Sequence, residues 1–156
     1  MPEEVKIRRA REDELPIIKQ LSVKQTILEL DEVERQQKER IEKENMRRLD
    51  AFFRKPGNDL FVAEARSGEM AGYVWLGVSE RPFSGVEIGW ICDIEVLPQF
   101  RGRGVGEALM RQALEASKER GFARIGLMVN QKNKAAWSLY EKLGFQTEYR
   151  IMSKIE

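Results

Sequence analysis

The sequence predicts a mixed α/β fold, one sheet covered by helices, and three observations carry that reading. Short stretches of alternating or continuous apolar residues recur along the chain as strands would. Between them lie segments whose apolar residues repeat at helical intervals. Over residues 88–129 an apolar run, a glycine-rich loop, a helical pattern and a second apolar run follow in turn, the order of a β–α–β unit. Those two strands are therefore expected to be parallel or at least adjacent. At 156 residues, the chain is long enough for one core and too short for two, so residues 1–156 are expected to form one domain.

Taken in order, Val5–Arg9 alternates apolar and polar residues and reads as a first strand. Ile17, Ile18, Leu21 and Leu28 keep helical spacing, and Val33, Ile41, Leu49 and Phe53 extend it, giving two helices between about Glu12 and Lys55 with a bend near residue 30. The second carries a narrow apolar stripe amid opposite charges, as expected of a helix on the domain surface. Pro56-Gly57-Asn58 stops it. Leu60–Ala65 and Met70–Val78 read as a hairpin around Arg66-Ser67-Gly68-Glu69, and residues 80–86, with Pro82, Ser84 and Gly85, as a loop. Ile88–Val96 is a central strand carrying acids and ended by Pro98. Residues 104–120 form a helix closed by Gly121, Ala123–Val129 a strand, Asn133–Lys142 a helix stopped by Gly144, and Phe145–Ile155 a last strand.

Composition removes several classes of function. With 27 Lys and Arg against 26 Asp and Glu, the net charge is +1, without the basic excess of a general nucleic-acid binder. No apolar run approaches the roughly 20 residues of a membrane span, and the acidic start Met1-Pro2-Glu3-Glu4 lacks the apolar core of a secretory signal. A single cysteine, Cys92, cannot form an internal disulfide and fits a reducing, cytoplasmic setting. The absence of histidine excludes Ser-His and Cys-His hydrolases and His-ligated metals, so no metal site is expected.

The chemistry-bearing feature is the loop after the central strand. Gly102, Gly104 and Gly106 stand at the mouth of a helix, flanked by Arg101 and Arg103. A helix N-terminus presents unpaired N–H groups and a positive dipole end, and glycines let a phosphate reach that backbone. A dinucleotide fingerprint would need glycine where Glu107 stands, and a P-loop would need Lys-Ser or Lys-Thr after the glycines. Both fail.

Arg101-x-x-Gly104-x-Gly106 matches [RQ]-x-x-G-x-[GA], and Asn133-Lys134-Ala135-Ala136-Trp137-Ser138-Leu139-Tyr140-Glu141-Lys142-Leu143-Gly144-Phe145 matches N-x-x-A-x-x-L-Y-x-x-x-G-F. In these two motifs, their separation and the order of elements from Val5 onward, the chain resembles the GNAT acetyltransferase superfamily. The elements read above follow the order β-α-α-β-β-β-α-β-α-β, and the resemblance implies a central mixed, mostly antiparallel sheet. It implies transfer of acetyl from acetyl-CoA to a primary amine by direct transfer in a ternary complex. The pantetheine arm would pair with the backbone of Ile94, Glu95 and Val96. The pyrophosphate would sit on the amides from Gly102 through Arg103, Gly104, Val105 and Gly106 to Glu107, beside Arg101. Asn133 would lie near the pantetheine or thioester, and Tyr140 would protonate the departing thiolate. A phenol of pKa about 10 can protonate a thiolate whose acid has pKa about 8.5.

For the base, Met128 stands where related N-terminal acetyltransferases often carry glutamate; the candidates by sequence are Asp93 and Glu95, with Glu87 at the start of the strand, and a water chain could replace a direct base. Alternation puts Asp93 and Glu95 on one face, opposite Cys92 and Ile94. Cys92, without a His or a helix N-terminus beside it, reads as an inert thiol packed within the strand. Trp75, Trp90 and Trp137 read as core or groove-lining. In this family the acceptor site lies between the first two helices and the loop near residues 80–86, and homodimers are common. Two rival readings stand beside the enzyme: a non-catalytic acyl-CoA-binding module of the same fold, and a helical interaction module on residues 31–54. The narrow apolar stripe disfavours the second.

Overall fold

In a computed structural model that describes residues 2–156, the order is β1 (Val5–Arg9), α1 (Leu15–Glu29), α2 (Glu32–Arg35), α3 (Lys38–Arg54), β2 (Asp59–Ala65) and β3 (Met70–Glu80). There follow β4 (Glu87–Val96), α4 (Val105–Glu119), β5 (Ile125–Leu127) and α5 (Lys134–Lys142). Short 3-10 turns at Glu12–Glu14 and Pro98–Phe100 lead into α1 and towards α4. The five strands lie in sequence order, antiparallel from β1 through β4, with β5 parallel to β4 as the β–α–β unit requires.

The two faces of the sheet have different covers. Phe61, Ala63, Val74, Leu76 and Ile91 meet Val105, Leu109, Met110 and Ala113 of α4 in the main core. Leu109, Met110 and Ala113 recur at the spacing that keeps one stripe of the helix inward. On the opposite face, Val62 and Tyr73 pack on Ile18 of α1, while Trp75 packs with Val23 of α1 and Leu49 of α3.

The expected bend near residue 30 has a capping explanation. Leu30 is extended, and Asp31 accepts from the Glu34 amide while Glu34 accepts from the Asp31 amide, a reciprocal cap that starts a new helix. That new helix is only the four-residue α2, and α3 starts separately at Lys38. At the base of the sheet, Arg8 holds Glu14 through two hydrogen bonds of 2.8 and 2.9 Å and Glu64 through a third of 2.7 Å. The Arg11 amide adds a bond of 2.8 Å to Glu14. The guanidinium holds both carboxyls below their ordinary range, against the opposing effect of burial.

Two expectations about the C-terminal half are corrected. The strand expected over Ala123–Val129 is confined to Ile125–Leu127. The last strand expected over Phe145–Ile155 does not form, so the element order ends at α5. That segment has strand-like alternation but joins no ladder among the described residues, and Ile151, Met152 and Ile155 stand exposed. Ion pairs hold its start instead: Glu148 bridges Arg81 and Arg124, and Tyr149 lies 6.1 Å from the Phe83 ring. Alternation reports a pleated backbone with two kinds of face; pairing also needs a neighbouring edge. Among the described residues no helix is long and apolar enough to cross a membrane.

Candidate active site

The site begins where β4 outruns its neighbour. β5 pairs with β4 only at Gly89, Trp90 and Ile91, then ends at Leu127, while β4 continues to Val96. Ile94, Glu95 and Val96 remain paired to β3, through Val74, Tyr73 and Gly72, but have no β5 ladder on their other side. Gly72 permits this pairing: a Cβ there would stand 2.4 Å from the Glu95 carbonyl oxygen and 3.1 Å from Val96 Cα.

A bulge then rearranges the strand. Trp75 faces Asp93 and Leu76 faces Ile91, so Cys92 is the extra residue of β4. Ile91 and Ile94 both turn to the α4 core, whereas Asp93 joins Trp90 and Cys92 on the groove side. Asp93 and Glu95 share a face as alternation predicts, but Cys92 lies beside Asp93 rather than opposite it. It is an exposed groove residue and not a strand-buried one. Its thiol is nevertheless pushed up to about 11, first by desolvation within the groove and then by the charge of Asp93.

After β4, the chain turns into α4 over the glycines. Gly102 and Gly104 hold φ of 75° and 81°, the left-handed region that L-residues with a Cβ resist, and Gly104 is the cap residue of the helix. The first turn of α4 presents the amides of Val105, Gly106 and Glu107 without intrahelical partners. The Val105 side chain is buried in the core, so its contribution to such a cradle is its backbone. Gly106 packs on Leu139 and Val96, which joins the cradle to α5 and β4. The flanking charges are partly engaged. Arg101 Nε donates to the Val96 carbonyl at 2.9 Å, Arg103 pairs with Glu3 at 3.1 Å, and Glu107 pairs with Arg111 and Lys142. Arg103 is therefore turned towards the N-terminal segment.

The ionisable groups of the site converge around Asp93. The Tyr73 hydroxyl donates to Asp93 Oδ2 at 2.6 Å from a fully buried ring. Burial, and then the charge of Asp93, raise the Glu95 carboxyl, with Arg101 and Lys24 opposing. Glu95 Oε2 is buried without a hydrogen-bond partner among the described residues. The same two causes, burial first, raise the Tyr140 phenol, which stacks edge-on to Phe145 at 5.9 Å. Asn133 caps α5 by accepting from the Ala136 amide at 3.2 Å and is exposed. Met128 is exposed, and Trp137 is half-buried on α5 with an unpartnered indole N–H. Among the described residues, no group of three or more His, Cys, Asp or Glu stands where it could hold a metal ion.

On the α1/α3 face, a groove of about 350 Å³ opens beside Asp93. Ser22 and Thr26 of α1, Asn45 and Phe52 of α3, and Trp75 and Trp90 of the sheet line it. None of residues 81–86 contributes to the lining, which stops at Ser79 on this side, and that loop closes on itself through backbone bonds from the Arg81 amide to the Val86 carbonyl and from the Gly85 amide to the Arg81 carbonyl. Sequence reasoning missed Tyr73, Asn45 and Phe52. Tyr73 looked like an ordinary strand aromatic, and its one signal was the register that sets it across from an acidic strand.

In sequence and in fold the chain is similar to known proteins. An uncharacterized N-acetyltransferase of Methanocaldococcus jannaschii is 38% identical over 91 residues, covering 55% of this chain and 38% of that protein. The matched region thus spans well under half of that relative's length. A structure described as an acetyl transferase from Pyrococcus furiosus superposes with a TM-score of 0.81 at 29% identity, covering 98% of this chain and 100% of the other. Aminoglycoside N-acetyltransferase AAC(6')-Iy, solved with CoA, shares the fold at TM-score 0.72 and 18% identity, covering 100% of this chain and 97% of that one. The model of the Acetyltransferase (GNAT) family matches residues 25–145, which include the β4 edge, the glycine turn and α5, and the chain belongs to that family.

Proposed function

We propose that the protein transfers the acetyl group of acetyl-CoA to a primary amine by direct transfer in a ternary complex. The observation that carries this reading is the β4 edge, free of β5 beyond Ile91, running straight into the glycine turn at the N-terminus of α4. Acetyl-CoA supplies an activated acyl group and a good leaving thiolate. The residues present fit such a molecule. Ile94, Glu95 and Val96 offer main-chain groups to the amides of a pantetheine arm. The backbone from Gly102 to Glu107 offers N–H groups and a helix dipole to a pyrophosphate, with Arg101 adjacent. Asn133, its carbonyl engaged in capping, keeps its amide N–H groups to donate.

Glu95 receives the proton of the attacking amine. Burial makes its carboxylate a stronger base than an exposed glutamate, and its unpartnered oxygen is available to accept. Asp93 is held by Tyr73 and supplies the negative charge that keeps Glu95 basic, and a water between the acids and the amine can relay the proton. Tyr140, like any phenol, is protonated at neutral pH, and burial holds it so, which lets it donate to the departing thiolate. Cys92 is protonated at the same pH, which disfavours a route through an acetylated thiol.

Initial velocities of CoA release, measured across acetyl-CoA and amine concentrations, test the proposal. Intersecting lines are expected, with activity kept in Cys92→Ser and reduced by about 10²-fold or more in Tyr140→Phe. Parallel lines, or loss of turnover in Cys92→Ser alone, would contradict direct transfer. Acetyl-CoA binding without turnover on any amine would favour the non-catalytic binding module.

A further inference from the structure

The groove beside Asp93 has a lining that distinguishes among amines. Phe52, Trp75 and Trp90, with Val23, Leu49 and Val78, give it an apolar side, and Ser22, Thr26 and Ser79 add hydroxyls. Phe52 and Val78 of this lining are 42% and 39% exposed. The formal charges of the lining are one acid, Asp93, and one base, Arg48. A second polar feature stands on α3: Asn45 Nδ2 is buried without an acceptor among the described residues, one helical turn from Arg48. A buried donor without a partner is costly unless something brings it an acceptor.

From these features we infer that the groove takes a primary monoamine with an apolar or aromatic body and a carbonyl oxygen, the chemistry of an α-amino amide. The inference rests on the acetyl-transfer reading above and specifies its acceptor. One carboxylate matches one ammonium or amine, the aromatic walls match an apolar body, and Asn45 matches a carbonyl oxygen. A polycationic aminosugar fits poorly. It would bring several ammonium groups to a site whose acids are Asp93 of the lining and the base Glu95, set a like charge against Arg48, and carry more hydroxyls than Ser22, Thr26 and Ser79 can partner. The aminoglycoside enzyme that shares this fold is therefore a guide to architecture and not to the acceptor of this chain.

Quenching of tryptophan fluorescence reports on the groove, because two of the three tryptophans, Trp75 and Trp90, line it, and Trp137→Phe removes the third signal. The full chain is titrated with L-phenylalaninamide, phenethylamine and kanamycin, with and without CoA, and the same amines are assayed for acetyl-CoA-dependent turnover. The expected order is phenylalaninamide, phenethylamine, kanamycin, with the first bound at least about tenfold more tightly than the last. Asn45→Leu is expected to shrink the advantage of the amide over phenethylamine by several-fold, because only the amide offers a carbonyl oxygen. Tighter binding of kanamycin, or an amide advantage unchanged in Asn45→Leu, would overturn the inference. Amide binding with no acetyl transfer to any amine would overturn the catalytic reading instead, and acetyl transfer that favours kanamycin would overturn only this one.

Discussion

Replacing Gly72 by alanine perturbs the site without touching a side chain of it. The new Cβ would lie 2.4 Å from the Glu95 carbonyl oxygen and 3.1 Å from Val96 Cα, both backbone atoms of β4. Reaching ordinary contact requires a separation on the order of 1 Å, and neither atom can move alone, because each belongs to the β3–β4 ladder. Overpacking of this kind costs about 1–3 kcal/mol, and a weakened ladder hydrogen bond adds about 1 kcal/mol. A loss of about 3 kcal/mol follows, which lowers Tm by roughly 6–12 °C for a chain of this size. The same displacement moves Glu95 and Val96, so acetyl-CoA binding should weaken more than stability alone accounts for. Gly106→Ala is the comparison for stability alone, since its Cβ would meet only side chains at 3.4 and 3.6 Å while Gly106 itself belongs to the proposed cradle. The assay pairs thermal unfolding by circular dichroism with calorimetric titration at a temperature where both variants are folded. A Gly72→Ala protein that melts within about 1 °C of the wild type and binds acetyl-CoA equally would refute the close approach and its link to the site.

Two further predictions concern pH. With Glu95 as base and its pKa raised by burial, kcat/KM should fall as pH drops through a value above the ordinary carboxylate range, and Glu95→Gln should abolish that limb while retaining acetyl-CoA binding; an unchanged acid limb would reassign the base. Glu14 has a folded pKa below its unfolded one, so its contribution is present above the unfolded value near 4.3 and is lost as pH falls through the folded value. Glu14→Gln should therefore destabilise the protein at pH 7 and flatten the acid side of the stability–pH curve, followed by urea unfolding; a curve parallel to the wild type would contradict the Arg8 assignment.

Much of this architecture was legible because local signals and tertiary demands agreed. Pro56-Gly57-Asn58, Gly121 and Gly144 stop helices whatever lies around them, and the glycine turn could be read as an anion cradle because positive φ and an exposed helix start are local properties. The bulge at Cys92 was not legible, since it arises from the register between β3 and β4 and not from a residue type that demands it. It reversed the face of Cys92 while leaving Asp93 and Glu95 together. The segment after Phe145 failed for a related reason: its alternation describes a strand, but whether a strand forms depends on an available edge. Tyr73 illustrates the limit for site residues. Its type suggests core, and only the cross-strand pairing with Glu95 and the reach to Asp93 give it a place beside the proposed base.

The central claim is that the β4 edge and the glycine turn bind acetyl-CoA, and calorimetric titration of the purified chain tests it most directly, with NADH and ATP as controls. The account predicts micromolar binding of acetyl-CoA, greatly weakened when Gly104 is replaced by a residue that resists φ of 81°, and no comparable binding of the controls. Absence of acetyl-CoA binding by the wild-type protein, or binding unaffected by that substitution, would contradict it.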